Sequence, residues 1–265
     1  MTLADAMRRD GRYLAEHYGV YGTIPMVFRD APIVLVMAGR AGSSFAVKWF
    51  LHHNPVETDF VWAHRIRVDV VYPAPWHKQR VQEVIDGEPV AIVRFTRHPY
   101  PRAVSAYLHS LRQARPRGPI AAFLGQDIDA GYSFAQYLDA MEALVPVAGC
   151  DEHGYLQRTL LDTLQPVSHP YRVEDGPEAL RAIEASLDLA PTDGATYERL
   201  RRTKHDHAYL ASTEFLGRTV LETGRDANRT VQRFPTFYDD DLLAQVDRIY
   251  QEDFERFGYQ HELPA

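Results

Sequence analysis

Two short segments of the chain carry residue types that could bind a phosphate or sulfate group. The first, Gly39–Ser44 (GRAGSS), follows the apolar run Ile33–Met37 and precedes a stretch with helical character. A loop that enters the first turn of a helix presents backbone N–H groups without intrahelical partners, and these bind anions. Gly42 allows close approach of the backbone, the two serines add hydroxyl donors, and Arg40 adds a positive charge. The segment therefore predicts an anion-binding loop, with an ordinary serine-capped turn as the alternative.

The second segment is VRFTRHPYPRAVSAYLHSL, residues 93–111. Arg97 follows a predicted strand, and Ser105 lies on the helix that comes next. Pro99 and Pro101 each have a fixed backbone φ angle, which stiffens the corner between Arg97 and Ser105. A rigid corner with an arginine and a serine suits a phosphate group, and a surface arginine with a solvent-facing serine is the alternative.

Apolar runs alternate with helical patterns along the chain, which predicts an α/β fold. The predicted strands are 33–37, 67–73, 89–95 and 167–173, and a Pro/Gly-rich loop is predicted at 115–119. The predicted helices are 3–20, 44–53, 77–86, 102–112, 133–144, 153–165, 177–187 and a C-terminal helix at 236–259. We expect a parallel sheet with helices on both faces. Ligands of such sheets bind beyond the carboxyl ends of the strands, where both segments begin.

Composition limits the function classes. The net charge of −7 argues against general nucleic-acid binding, which needs a basic surface. Residues 89–126 nevertheless contain no Asp or Glu, which predicts a local positive site suited to a small anion. The arginines of this stretch are Arg94, Arg97, Arg102, Arg112, Arg115 and Arg117.

Several targeting and redox features are not found in the sequence. Cys150 is the only cysteine, so an intrachain disulfide and a cysteine-based zinc site are excluded. No apolar run approaches the roughly 20 residues of a membrane span, and the first 19 residues have no signal-peptide apolar region. The expectation is a cytoplasmic protein.

On these residues the chain resembles the sulfotransferases that use 3′-phosphoadenosine 5′-phosphosulfate (PAPS). Their 5′-phosphosulfate loop reads Pro-Lys/Arg-x-Gly-Thr/Ser-Thr/Ser, and GRAGSS is similar to it, with Gly39 in place of the proline. Their 3′-phosphate motif is an arginine at a strand end, a polar residue with proline, and a serine eight residues after the arginine. Arg97-His98-Pro99 with Ser105 matches this motif.

Two further stretches are similar to carbohydrate-type members of that family. His153 and Gln157 of EHGYLQ match a His-Trp-x-x-Gln element, and IYQEDFERFGY matches a common C-terminal ending. The resemblance spans residues 33–258 and implies a P-loop-like sheet in a single sulfotransferase-type domain, residues 1–265. Residues 1–30 would form an N-terminal helical extension.

The resemblance also implies a cofactor and its site. PAPS would be the co-substrate and 3′-phosphoadenosine 5′-phosphate (PAP) the product, with no metal required. Arg40 would stabilise the charge that develops on the leaving oxygen. The residues implied in nucleotide binding are Arg40, Ala41, Gly42, Ser43, Ser44, Phe45 against adenine, Arg97 and Ser105.

The acceptor hydroxyl would need a base, for which histidine is best suited near neutral pH. Many relatives carry this histidine about 20 residues before the 3′-phosphate arginine, and His77 occupies that position. His64 and His153 are rivals, and Glu57 and Asp59 are possible carboxylate bases.

Two other functions compete with the sulfotransferase. A related nucleotide-kinase-type phosphotransferase would need a Walker lysine, which the loop lacks. A non-catalytic nucleotide-binding module would keep the fold without the reaction. The expected partner is a small-molecule or carbohydrate acceptor, without nucleic acid or a membrane span, and the sequence leaves the oligomeric state open.

Overall fold

In a computed structural model, the structure describes residues 25–54, 63–125, 128–158, 166–202, 208–210, 214–224 and 230–264. The chain divides into two compact units, each assembled from two separate stretches. Unit 1 comprises residues 1–96 and 158–206, and unit 2 comprises residues 97–157 and 207–265. The single domain over residues 1–265 stays a prediction, and the predicted helix 3–20 lies outside the described residues.

A four-stranded sheet forms the centre of unit 1, in the order β1-β2-β3-β4. Its strands are β1 (Met26–Val27), β2 (Ile33–Met37), β3 (Ala91–Thr96) and β4 (His169–Arg172). β2, β3 and β4 are parallel, and β1 is an antiparallel edge strand. The register pairs Met37 with Phe95 and Phe95 with Tyr171, so the three parallel strands end at one edge of the sheet.

Every residue of β2 is buried, which explains why this strand reads as a continuous apolar run. The first three helices of unit 1 are α1 (Ser43–His53), α2 (Ala63–Ile66) and α3 (Pro75–Ile85). Two more helices of unit 1 follow later in the sequence. Ile33, Leu35 and Met37 pack with α1 in one core cluster. Val34 and Val36 pack with α3 in the other. The predicted α/β fold with a mainly parallel sheet is therefore confirmed.

The predicted strand at 67–73 is wrong. Residues Arg67–Val71 form a π-helix that continues directly from α2, and Tyr72 N donates to Arg67 O at 3.0 Å. The alternation of valine with charged residues is typical of a half-buried strand. However, Val68 and Val70 are 50% and 53% exposed, so these valines do not face a core.

Unit 2 is mostly helical among the residues that the structure describes. Its helices, in chain order, are α4 (Pro99–Arg112), α5 (Ala114–Leu124), α6 (Phe134–Leu144), then α9 (Asp240–Ile249) and α10 (Gln251–Phe257). Helices α7 (Gly176–Ser186) and α8 (Gly194–Arg201) lie between them in sequence and complete unit 1. A short parallel pair, β5 (Ala208–Leu210) and β6 (Thr230–Gln232), and a 3-10 helix, Phe234–Phe237, also belong to unit 2.

Three sequence predictions for unit 2 need correction. Residues 115–119 were expected to form a loop but lie in α5, where Pro116 occupies the first turn and packs into the core with Ile120. Residues 153–158 form turns rather than the start of a helix. The C-terminal helix is two helices, because α9 ends at Ile249 and α10 begins at Gln251.

A buried carboxylate ties the helices of unit 1 together. Glu184 of α7 is fully buried and accepts hydrogen bonds from Trp49 Nε1 and Thr192 N, each at 2.7 Å. His53 Nε2 lies 3.1 Å from the same carboxylate. Burial alone would raise the pKa of Glu184, but the hydrogen bonds from His53, Thr192 and Trp49 outweigh it and lower the pKa from 4.5 to about 2.

Replacing Glu184 with glutamine should lower the free energy of unfolding by about 1–3 kcal/mol at neutral pH, because the charge-assisted hydrogen bonds are lost. The folded-state pKa lies below that of the unfolded chain, so this stabilisation is present above pH 4.5 and is lost as the pH falls toward 2. Thermal melts of both proteins across this window measure the change. Glu178→Gln on the same helix is the control, because Glu178 is exposed and pairs with Arg181 at the surface. A wild-type advantage that stays constant down to the acid limit would contradict the assignment.

None of the helices among the described residues is long and apolar enough to cross a membrane.

Candidate functional site

The loop that follows β2 has an unusual backbone. α1 begins at Ser43 with Gly42 as its N-cap, and Gly42 has a φ of 74°. Arg40 also lies in the left-handed region, with a φ of 64°. A non-glycine residue there costs about 1–2 kcal/mol, and such strain is concentrated at functional sites. The predicted binding residues Arg40, Ala41, Gly42, Ser43 and Ser44 thus form one strained turn at the amino end of a helix.

Gly42 is required here for two independent reasons. Its positive φ disfavours a side chain, and a Cβ added to it would lie 2.5 Å from Val173 Cγ1. Val173 directly follows β4 and donates its N–H to Thr96 O at 3.0 Å. The loop therefore lies against the carboxyl end of the sheet, at the edge where ligands of parallel sheets bind.

Replacing Gly42 with alanine should destabilise the protein by about 1–3 kcal/mol, because the new methyl group overlaps Val173. The double variant Gly42→Ala/Val173→Ala should recover the part that comes from the overlap and keep the part that comes from the positive φ. Denaturant unfolding of the two single variants and the double variant measures this coupling. Additive effects of the two substitutions would show that Gly42 and Val173 are not in contact.

A histidine from α2 reaches this loop. His64 is exposed, and its Nε2 lies 2.9 Å from Ser44 Oγ. In the neutral ring one nitrogen carries a proton and the other accepts, so the tautomer decides which of the two groups donates. His64 is thus the histidine that the structure places on the predicted anion-binding loop.

His77, the first candidate for the base, lies elsewhere. It is 2% exposed on α3, and its Nε2 accepts a hydrogen bond from Val27 N at 3.3 Å. Val27 pairs with Val34, near the amino end of β2, whereas the loop leaves the carboxyl end. Burial lowers the pKa of His77 to about 4, and a backbone hydrogen bond to Pro25 opposes this only in part. His77 therefore holds the edge strand through the N–H of Val27, and its role as the base stays a prediction.

Phe45 lies among the core residues of unit 1. It was predicted to stack against adenine, but it is 7% exposed and belongs to the core of unit 1. Its ring makes edge-to-face contacts with Phe95, Tyr171 and Tyr197 at centroid distances of 5.6, 6.1 and 5.3 Å. These contacts explain Phe45 as a packing residue behind the loop.

In unit 2, the backbone of Arg97 is held from both sides. Arg97 N donates to Gln157 Oε1 at 2.8 Å, and Gln157 Nε2 donates to Arg97 O at 2.9 Å. Gln157 is fully buried and its own N–H donates to Asp253 Oδ1 at 2.8 Å. The Arg102 guanidinium lies 3.6 Å from the same carboxylate. Gln157, found through the sequence resemblance, thus fixes the course of the chain at Arg97.

Ser105 lies in the second turn of α4, half-buried, six residues after its first residue, Pro99. Spacings of three and four residues place it on the same helix face as Arg102 and His109. His98, which caps α4, is buried and stacks on Tyr100. Ser105 is therefore presented by a well-anchored helix.

The local excess of arginines is largely neutralised by acidic residues from other parts of unit 2. Arg115 pairs with Glu152 at 3.1 Å, and Arg117 approaches Asp129 at 3.8 Å. Arg102 is buried, and it also donates to the carbonyl oxygens of Tyr155 and His153. Three arginines of the stretch 89–126 thus lie near acidic side chains, and the local positive site stays a prediction.

The remaining candidate bases and metal ligands are placed as follows. Ligand atoms of Asp151, Glu152 and His153 lie within 4.8 Å of one another, a spacing that could hold a metal ion. These polar atoms already interact within the protein. His153 Nδ1 lies 2.9 Å from Asp151, and Arg115 pairs with Glu152. The other two candidates, Glu57 and Asp59, lie outside the described residues.

In the sequence, the spacing of 20 residues to Arg97 favours His77 over His64 as the base. The contact of His64 with Ser44 depends on how α2 packs beside α1, which no local pattern encodes. No protein-family model, curated protein or solved structure matches this chain. Its function must therefore be inferred from the site itself.

Proposed function

We propose that the protein is a PAPS-dependent sulfotransferase that acts on a hydroxyl group of a carbohydrate or small metabolite. The observation that carries the proposal is the turn at Gly39–Ser44, with Arg40 and Gly42 both left-handed and His64 on Ser44. This six-residue turn carries backbone donors, hydroxyl donors and a cation, and a histidine contacts its last serine. The motif that resembles the 3′-phosphate site adds the specificity for PAPS.

In the proposed reaction the acceptor oxygen attacks sulfur in line with the bridging oxygen between sulfur and phosphorus. The new bond is O–S, the broken bond is the bridging S–O bond, and PAP departs with the electron pair on its 5′-phosphate. Arg40 stabilises the negative charge on that oxygen, and the backbone N–H groups of the loop contribute in the same way. An arginine is suited to this as a permanent charge and hydrogen-bond donor, because it does not release its proton near neutral pH.

The acceptor hydroxyl loses its proton during the attack, and we assign the proton to His64. Its position on Ser44 places the imidazole beside the loop that would hold the sulfuryl group. A histidine within reach of the acceptor oxygen acts as a general base in its neutral form. His64 thereby replaces His77 in the mechanism.

Arg97 and Ser105 are assigned to the 3′-phosphate, which distinguishes PAP from adenosine nucleotides without it. Support comes from the double hydrogen bond between Gln157 and the Arg97 backbone, which fixes the residue that must carry the charge. A kinase-type phosphotransferase is less well supported, since the lysine of α1, Lys48, donates to the carbonyl oxygen of Arg202. The loop's own cation is Arg40.

Isothermal titration calorimetry with PAP, 5′-AMP and ATP tests the nucleotide assignment. We expect PAP to bind more tightly than the other two nucleotides, and Arg97→Ala to remove that preference. Arg115→Ala is the matched control, because Arg115 is exposed and paired with Glu152. Equal affinity for PAP and 5′-AMP would refute the 3′-phosphate site. Transfer of radiolabelled sulfate from PAPS to an acceptor panel then separates an enzyme from a binding module.

A further inference from the structure

Arg67 is a cation with two guanidinium nitrogens that have no hydrogen-bond partner in the part of the chain that the structure describes. It is the first residue of the π-helix Arg67–Val71 in unit 1. Its Nε and Nη1 atoms are buried and have no hydrogen-bond partner there. Its guanidinium carbon lies 5.5 Å from the centroid of the Tyr72 ring. The ring attracts the positive charge but accepts none of the in-plane N–H groups.

The position of Arg67 connects it to the candidate site. His64 and Arg67 are three residues apart on a continuous helical path, because α2 passes directly into the π-helix. Side chains at this spacing start from the same helix face, about 5–6 Å apart at their Cβ atoms. Arg67 therefore lies one turn beyond the histidine that contacts Ser44. π-Helices are often found at functional sites, where they reposition side chains.

We propose that Arg67 binds an anionic group of the acceptor, a carboxylate, sulfate or phosphate, next to the hydroxyl that is sulfated. This inference rests on the proposed function and names its substrate class. The sulfuryl donor PAPS already has a cation in Arg40, whereas Arg67 lies three residues after the proposed base, His64. The N–H groups of Nε and Nη1 point to different sides of the guanidinium, and each can donate one charge-assisted hydrogen bond to an oxyanion.

The experiment compares acceptors that differ only in one charged group, such as methyl glucoside and methyl glucuronoside, together with sulfated and phosphorylated analogues. Binding is measured by calorimetry on the wild type, Arg67→Met, Arg67→Lys and Arg65→Met, with and without saturating PAP. Arg65→Met is the matched control, since it removes an equal charge from an exposed side chain that pairs with Asp69 at 3.0 Å.

We expect the wild type and Arg65→Met to bind an anionic member of the panel about 10- to 100-fold more tightly than its neutral counterpart. Arg67→Met should lose this preference and Arg67→Lys should keep part of it, with unchanged PAP affinity in all variants. The inference is wrong if no anionic member is preferred by the wild type, or if Arg67→Met retains the preference. A loss of PAP affinity in Arg67→Met would move Arg67 to the donor site and also overturn it.

The two proposals fail in different ways. If PAP does not bind the wild type, the proposed sulfotransferase function falls, while the anion preference without PAP still reports on Arg67. If PAP binds and sulfate is transferred to neutral and anionic acceptors alike, the function stands and the role of Arg67 does not.

Discussion

Replacing Arg40 with glycine should lower the rate of sulfuryl transfer about 10²- to 10³-fold while the fold remains intact. Glycine adopts the φ of 64° at this position without strain, so the substitution removes the charge and preserves the turn. The rate falls because the negative charge on the departing oxygen loses a preorganised partner. Single-turnover transfer from radiolabelled PAPS to an acceptor identified in the panel measures the effect, and thermal melts verify the fold.

Arg40→Lys provides the matched comparison. Lysine keeps the positive charge but not the planar pair of donors, so its rate should fall between those of the wild type and Arg40→Gly. A variant without the charge that transfers sulfate at the wild-type rate would exclude Arg40 from the reaction. PAP affinity in the same variants shows how much of the effect belongs to ground-state binding.

The sheet was predictable where burial on both faces leaves a local pattern. β2 is a continuous apolar run because alternate residues enter two separate core clusters, as Leu35 and Val36 do. The antiparallel edge strand β1 contains only two residues, Met26 and Val27, and such a segment has no detectable period. It was missed, and with it the partner of His77.

In the segment 67–73, which was predicted as a strand, the local pattern gave the wrong structure. Alternating valines at 68 and 70 have a strong intrinsic preference for strands. The helical start at Ala63–Ile66 and the hydrogen bond from Tyr72 N to Arg67 O override it. Because this segment is helical, Arg67 lies one turn from His64, a relation that a strand would not produce.

Residues of the candidate site also differ in how far the local sequence predicts their role. The turn at Gly39–Ser44 was predictable because its chemistry lies in six consecutive residues between a strand and a helix. Phe45 is the next residue, yet its role depends on Phe95 and Tyr197, which approach from other elements. A position in sequence identifies a loop, whereas the direction of a side chain depends on tertiary packing.

Replacing His64 with alanine should lower the rate of the proposed sulfuryl transfer about 10²- to 10⁴-fold, because the acceptor hydroxyl would lose its proposed general base. PAP affinity should change little, since the base acts on the acceptor. The measurement is the same single-turnover transfer, repeated with added imidazole, which should restore part of the activity. Restoration by a free base distinguishes a proton-transfer role from a structural one.

Two further histidines make this test decisive. His77→Gln should lower the thermal stability, because the N–H of Val27 loses its acceptor, and should leave transfer by the folded fraction unchanged. His169→Ala should change neither, since His169 pairs with Val93 at the amino end of β4, away from the strand ends that carry the loop. If His77→Gln abolished transfer in a fully folded protein and His64→Ala did not, the base would be His77 after all. The loop would then have to bind its anion without the histidine that contacts Ser44.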